Sequence, residues 1–112
     1  MAQSRSVGDT PYYPVKSVYV DASSLGSTAV VAAITGKSIN VLSMAVISTL
    51  ANNVKFLSAA TQISATMPLG ANGGFVLPYN SYGWFNTAVG EALNVNLSVA
   101  TATGVMITYI ED

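Results

Sequence analysis

The chain has 112 residues and a formal net charge of −1; 8% of its residues are charged, 51% are hydrophobic, and none is Cys or His. Without Cys and His there is no thiolate nucleophile, no Ser–His pair and almost no way to build a zinc site. With Lys and Arg totalling 4, there is no basic cluster for a phosphate backbone. We therefore expect no enzyme activity, no cofactor, no metal and no nucleic-acid partner.

The low charge also has a bearing on association. Ordinary soluble domains contain roughly 25% charged residues, and a small monomer has a large surface to cover. We therefore expect other subunits to cover part of this chain.

The most apolar run, INVLSMAVISTLA at 39–51, is shorter than the roughly 20 apolar residues of a membrane-spanning helix. The first residues lack the apolar centre of a signal peptide, so neither a membrane span nor a signal peptide is expected.

Residues 1–14 form a polar leader in which prolines flank Tyr12 and Tyr13, a pattern that predicts an extended N-terminal arm. From residue 15 onward the hydrophobic period is two, which predicts strands. Turn residues separate them: Gly36-Lys37 and the segment 101–104 are each predicted as a hairpin turn. The predicted strands are 15–21, 29–35, 38–50 (with a bend or bulge near Ser43), 54–58, 62–68, 75–78, 91–100 and 105–111.

About eight short strands at this spacing predict an all-β fold, a single-domain antiparallel β-sandwich or jelly roll over residues 15–112, with the arm at 1–14. The strand at 91–100 alternates most cleanly, because its apolar residues Leu93, Val95, Leu97 and Val99 share one face. The strands at 39–47 and 105–110 carry apolar residues on both faces. One face can pack against the opposite sheet, and we expect the other to lie in a subunit interface.

Two features remain as candidates for function. Glu111 and Asp112 are adjacent acids at the C-terminus, which we interpret as a solvated tail that protects a sheet edge.

The segment YNSYGWF at 79–85 is predicted to be a loop, and its aromatic side chains either cap the sandwich or contact a partner. A division is expected, with Trp84 and Phe85 inward and Tyr79 and Tyr82 outward. The candidate contacts with a capsid or a neighbouring subunit are Tyr12, Tyr13, Tyr79, Tyr82, Trp84 and Phe85.

The run NGGFVLPYNSYGWFNTAVGEALNVNLS at 72–98, together with VYVDAS at 18–23 and GKSINVLS at 36–43, resembles small virion proteins of tailed phages. The group is that of head decoration (cement) and head-fibre proteins, and the resemblance covers residues 15–112. It implies a β-sandwich or jelly roll that forms a homotrimer, binds the outer capsid surface and bridges neighbouring major capsid proteins, with no catalytic residues. It also implies a virion component that is made in the host cytoplasm.

Related modules occur in tail and adsorption appendages, which leaves an alternative open. In that alternative, the chain is a trimeric appendage module, and the exposed loop at 79–84 binds a host-surface glycan or receptor. Both functions suit a β-protein that is poor in charge.

Overall fold

The computed structural model describes residues 14–112, in which ten strands form two antiparallel sheets. None of these residues belongs to a helix that could cross a bilayer. The strands are β1 (Lys16–Ala22), β2 (Gly26–Val31), β3 (Ile39–Ser48), β4 (Asn52–Ser58), β5 (Thr61–Gln62), β6 (Met67–Leu69), β7 (Gly74–Leu77), β8 (Phe85–Asn86), β9 (Leu93–Leu97) and β10 (Thr103–Glu111).

The strand order is that of a jelly roll. Sheet A runs β1-β10-β3-β7, with β8 also paired to β3, and sheet B runs β2-β9-β4-β5, with β6 also paired to β4. Since β5 and β6 share the same neighbour, as do β7 and β8, the ten strands fill eight positions. Successive positions mostly lie in opposite sheets, as in a jelly roll. The predicted antiparallel β-sandwich of about eight strands is confirmed.

The core lies between the two sheets and is built from alternate residues of each strand. In β9, Leu93, Val95 and Leu97 are buried while the asparagines between them face outward. Across the core, the rings of Phe56 in β4 and Phe85 in β8 lie with their centroids 5.6 Å apart, so this pair joins sheet B to sheet A. Each such buried side chain stabilises the fold by about 1.5–3 kcal/mol.

A β-bulge interrupts the central ladder of sheet A. Thr108 pairs with Ser43, but Tyr109 pairs with Val41, so Leu42 is an extra residue on β3. The predicted bend or bulge near Ser43 is confirmed.

Both predicted hairpin turns are wrong. Gly36 does lie in a turn, closed by the Lys37 N–H, which donates to the Ile34 carbonyl at 3.1 Å. The strands on either side, however, belong to different sheets. Residues 98–102 likewise join β9 of sheet B to β10 of sheet A, and the last two residues of the predicted turn at 101–104 belong to β10. Turn residues report a local reversal of the chain, whereas packing of the whole domain decides which sheet the next strand joins.

Several strand boundaries also differ from prediction. β2 lies at 26–31 rather than 29–35, because it pairs with β9 from Gly26 onward. β9 ends at Leu97, so Val99 is 38% exposed and does not share the buried face. The strand expected at 62–68 is divided into β5 and β6 at the sheet edge. β8 begins at Phe85, the last residue of the segment 79–85 that was predicted to be a loop.

The C-terminal acids are not a solvated tail that protects an edge. β10 lies between β1 and β3, so it has no free edge there. Glu111 forms an ion pair with Lys16 of β1 at 2.9 Å. The backbone N–H of Asp112 donates to the Ser38 carbonyl at 3.0 Å, and the Ser38 hydroxyl donates to the Asp112 carboxylate at 3.1 Å.

Candidate functional site

The outer face of sheet B is polar. The side-chain amide of Asn94 donates to the Ala59 carbonyl at 2.9 Å, and that of Asn96 donates to the Ser27 hydroxyl at 3.1 Å. Lys55 lies directly opposite Asn96 across β4 and β9. Side chains of this kind are satisfied by water and by each other, so this face needs no further cover.

The outer face of sheet A is apolar. Tyr19, Met106, Ala45 and Val76 lie directly opposite one another in four successive strands, β1, β10, β3 and β7; we call them the apolar row. Tyr19, Met106 and Val76 are 73%, 59% and 70% exposed. Ile47, in the next row, is exposed as well. Single exposed apolar residues are common, whereas a contiguous apolar patch is typical of surfaces that contact another molecule.

A shallow groove of about 610 Å³ runs over this face. Pro78 and Tyr79 extend its lining past the end of β7. Ser17, Thr108 and Ser43 border the groove on that same side of the apolar row. None of the side chains that line the groove is an acid or a base. The lining of the groove is therefore mostly apolar, with hydroxyl groups at one border.

The aromatic loop, residues 78–84, adjoins this face and is anchored to β3. Backbone N–H groups of Asn80 and Trp84 donate to the carbonyls of Leu42 and Val41 at 2.9 and 2.8 Å. The β-bulge in β3 thus lies directly beneath the loop. These bonds tie both ends of the loop to a central strand of the sandwich.

Hydrogen bonds within the aromatic loop close it into a defined turn. The Gly83 N–H donates to the Asn80 carbonyl at 2.9 Å, and the Asn80 side-chain oxygen accepts from the Tyr82 N–H at 3.0 Å. The indole N–H of Trp84 donates to the Pro78 carbonyl at 2.7 Å, which joins the two ends of the loop. The loop therefore presents its rings from a fixed backbone, so a partner would not have to order it.

The predicted orientation of the aromatic residues holds for three of them. Tyr79 and Tyr82 face outward, with 61% and 79% of their surface exposed, and Phe85 packs against the core. Trp84 is 42% exposed, so the inward orientation predicted for it is wrong. The predicted contacts of all four aromatic residues, Tyr79, Tyr82, Trp84 and Phe85, with a partner remain predictions. Tyr12 and Tyr13, with the rest of the predicted arm up to residue 13, lie outside the described residues.

Sequence reasoning pointed to the second faces of 39–47 and 105–110, but it missed Tyr19 and Val76 as members of the same surface. The apolar row joins residues that are far apart in the sequence, and only strand pairing brings them together. A weak signal was present in β1, where Tyr19 stands between Val18 and Val20, which pack against the core. By alternation, a tyrosine at that position points outward.

Charged side chains in the part of the chain that the structure describes mostly contact neighbouring segments of the fold. Residues 14–112 hold no group of three or more acidic, His or Cys side chains that could bind a metal ion. The pKa of Lys16 is raised by its side-chain hydrogen bond to Glu111 and by the charge of that carboxylate. Glu91 accepts a hydrogen bond from Ser58, whose hydroxyl oxygen accepts from the Ala88 N–H. These contacts join neighbouring segments of the fold.

Comparison of the sequence with protein-family models and with curated proteins gives no match to either.

Proposed function

We infer that this chain is a non-enzymatic virion structural protein of a tailed phage, a decoration protein that binds the outer capsid surface as a homotrimer and bridges major capsid proteins. The observation that carries the proposal is the aromatic loop, which holds Tyr79 and Tyr82 exposed on a backbone anchored to β3. Exposed tyrosines on a rigid support are efficient anchors, because they add large contact area at a small entropic cost. The resemblance of residues 15–112 to head decoration proteins supplies the capsid as partner.

Three further features support the proposal. The outer face of sheet A is apolar, so subunits can associate through it, while the polar face of sheet B remains compatible with solvent. A trimer would present three aromatic loops at once, so weak contacts at each loop would combine into strong binding. Tyr12 and Tyr13, in the predicted arm, would add a second contact with the capsid.

The test is co-sedimentation with phage heads that lack this protein and are assembled from the major capsid protein of the same phage. We expect saturable binding by the intact chain, and loss of binding with an unchanged trimer mass after deletion of residues 2–14. We also expect the double variant Tyr79→Ala, Tyr82→Ala to bind at least tenfold more weakly, since each lost anchor removes about 1–2 kcal/mol. Leu25→Ala is the matched control, because Leu25 is 67% exposed but lies outside the loop. Equal binding by the loop variant and the control would contradict the role of the loop.

The alternative is an adsorption module, in which the same exposed rings bind a host glycan or receptor by stacking on sugar faces. The observation in its favour is that Tyr82 and Trp84, two residues apart in the same loop, are both exposed. A folded Tyr82→Ala, Trp84→Ala variant that loses binding to host cells but still binds heads would favour this alternative. If the variant binds host cells as strongly as the intact chain does, the alternative is excluded.

A further inference from the structure

We propose that the groove on the outer face of sheet A is a docking site for the N-terminal segment of the same chain, residues 1–13, with Tyr12 inserted into it. The segment covers the half of the face that adjoins Tyr79, and the half around Ile47 stays open to a neighbouring subunit. This contact belongs to the free chain, so it goes beyond the proposed capsid function.

The first argument is the place where the described chain begins. Pro14 is the first described residue, and β1 begins two residues later, at Lys16. β1 is an edge strand of sheet A, and Ser17 and Tyr19, in its first half, line the groove. The segment that precedes Pro14 is therefore attached beside the groove, at the border where the hydroxyl groups lie.

The second argument is the length of this segment. Ser43, at the border of the groove, lies two strands across from Ser17, which is three residues after Pro14. The distance from Pro14 to Ser43 is thus roughly 14 Å, with strands about 4.8 Å apart and about 3.3 Å per residue along β1. An extended chain covers about 13 Å in the four residues 10–13. Residue 10 therefore reaches the neighbourhood of Ser43, and Tyr12 lies over β10, between β1 and β3.

The third argument is the match between the groove and the segment. No acid or base lines the groove, and the residues closest to it, TPYYPV at 10–15, carry no charge. Tyr19 and Tyr79 line the groove in β1 and just after β7. Grooves lined by aromatic side chains bind extended segments that contain proline, because proline restricts the free chain and lowers the entropy lost on binding.

A pair of hydroxyl groups gives the phenol of Tyr12 a polar partner. Ser43 and Thr108 are hydrogen-bonded to each other at the border of the groove. One hydroxyl hydrogen is used within the pair, so the second hydrogen and several lone pairs remain for an incoming phenol. A tyrosine here buries its ring and keeps its hydrogen bond. Because neighbours in an extended chain point to opposite sides, Tyr13 then faces outward.

Attachment to the same chain favours this occupant over a free molecule. The segment is joined to β1 at the edge of the groove, so its effective concentration there is on the order of millimolar. A free partner at a lower concentration needs much stronger contacts to displace it. The same attachment holds Tyr13 on the side of the molecule that carries the aromatic loop.

The first test is the reactivity of a single thiol, because the natural chain has no Cys. Ser17→Cys and its control Ser27→Cys each place a thiol at an exposed position of an edge strand, β1 in sheet A and β2 in sheet B. With an uncharged maleimide, we expect deletion of residues 2–13 to raise the labelling rate at position 17 at least fivefold and to leave the rate at position 27 unchanged. An unchanged rate at position 17 would overturn the proposal.

The second test is a disulfide between the segment and β3. After mild oxidation, we expect the Thr10→Cys, Ser43→Cys double variant to form a bond within one chain and to keep the mass of one chain, 11.5 kDa, since a disulfide needs Cα atoms within about 7 Å. The control, Thr10→Cys with Ser27→Cys, should stay reduced. Linked dimers of the first variant would mean that the segment occupies the groove of another copy. That result, or the absence of any disulfide, overturns the proposal.

This contact and the proposed capsid function fail in different ways, because both tests are made without capsids. An unprotected thiol at position 17 in a chain that still binds heads overturns only the docking of the segment. A protected thiol in a chain that does not bind heads overturns only the capsid function.

Discussion

Gly83 lies against Asn40 so closely that a Cβ atom at position 83 would overlap the Asn40 side-chain amide. Asn40 is 3% exposed in β3, and its amide N–H donates to the Tyr82 carbonyl at 3.4 Å. Gly83 also has a φ of 90°, a backbone conformation that residues with a Cβ rarely adopt. The aromatic loop therefore depends on a glycine at this position for two independent reasons.

We expect Gly83→Ala to lower the free energy of unfolding by about 2–4 kcal/mol, because it adds the cost of positive φ to the displacement of a buried amide. Urea denaturation followed by Trp84 fluorescence measures this loss. Gly90→Ala is the matched control: its φ is 79°, but nothing lies within 4 Å of an added Cβ. We expect about 1 kcal/mol for the control. Equal losses would mean that the contact with Asn40 does not matter.

Asn52 ties the end of β9 to β4. Its side-chain oxygen accepts hydrogen bonds from the backbone N–H and the hydroxyl of Ser98 at 3.0 and 3.1 Å and from the backbone N–H of Val99 at 3.1 Å. We expect Asn52→Ala to destabilise the protein by about 2–4 kcal/mol, since it removes several bonds to a buried group. Thermal unfolding measures the change. Asn53→Ala, at an exposed neighbouring position, should change stability by less than about 0.5 kcal/mol; a comparable loss there would contradict the role of Asn52.

Phe56 and Phe85 couple the two sheets through their tilted rings. We expect Phe56→Ala to cost about 3–5 kcal/mol, because Phe56 is fully buried. In a double-mutant cycle with Phe56→Leu and Phe85→Leu, a coupling energy of about 0.5–1.5 kcal/mol is expected from the ring contact. The same cycle with Phe56→Leu and Leu25→Ala should be additive within about 0.5 kcal/mol, since Leu25 is exposed. Additivity in both cycles would mean that the rings contribute by burial alone.

The ion pair between Lys16 and Glu111 predicts a small alkaline effect. Its hydrogen bond raises the folded-state pKa of Lys16 above the ordinary 10.5. The stability that it adds is therefore present below pH 10.5 and is lost as the pH rises through the higher folded-state pKa. We expect the stability difference between the intact chain and Lys16→Met to be constant near neutrality and to shrink above pH 10.5.

Urea denaturation at a series of pH values measures this difference. The effect is small because the Lys16 side chain is 49% exposed, so solvent and salt screen it. Lys37→Met, at an exposed turn position, controls for the loss of one positive charge. A difference that grows with pH would contradict the assignment.

The strands, the fold class and the outward tyrosines were predictable because they depend on local pattern. Alternation, as in β9, shows which side chains of a strand share one face, and turn residues show where each strand ends. A hydrophobic period of two along most of the chain predicts an all-β fold. Phe85 was correctly placed inward, and the bulge near Ser43 was expected from the length of the strand. The scarcity of charge was read from composition alone.

The tertiary structure decided what local pattern does not contain. Gly36 marks a turn whether the next strand joins the same sheet or the opposite one. Only the packing of both sheets places β3 in sheet A, opposite β2 in sheet B. Trp84 was predicted inward, whereas its indole N–H donates to the Pro78 carbonyl and the side chain is partly exposed. Tyr19 and Val76 belong to one apolar surface because β10 and β3 pair between their strands, and strand pairing is a property of the folded chain.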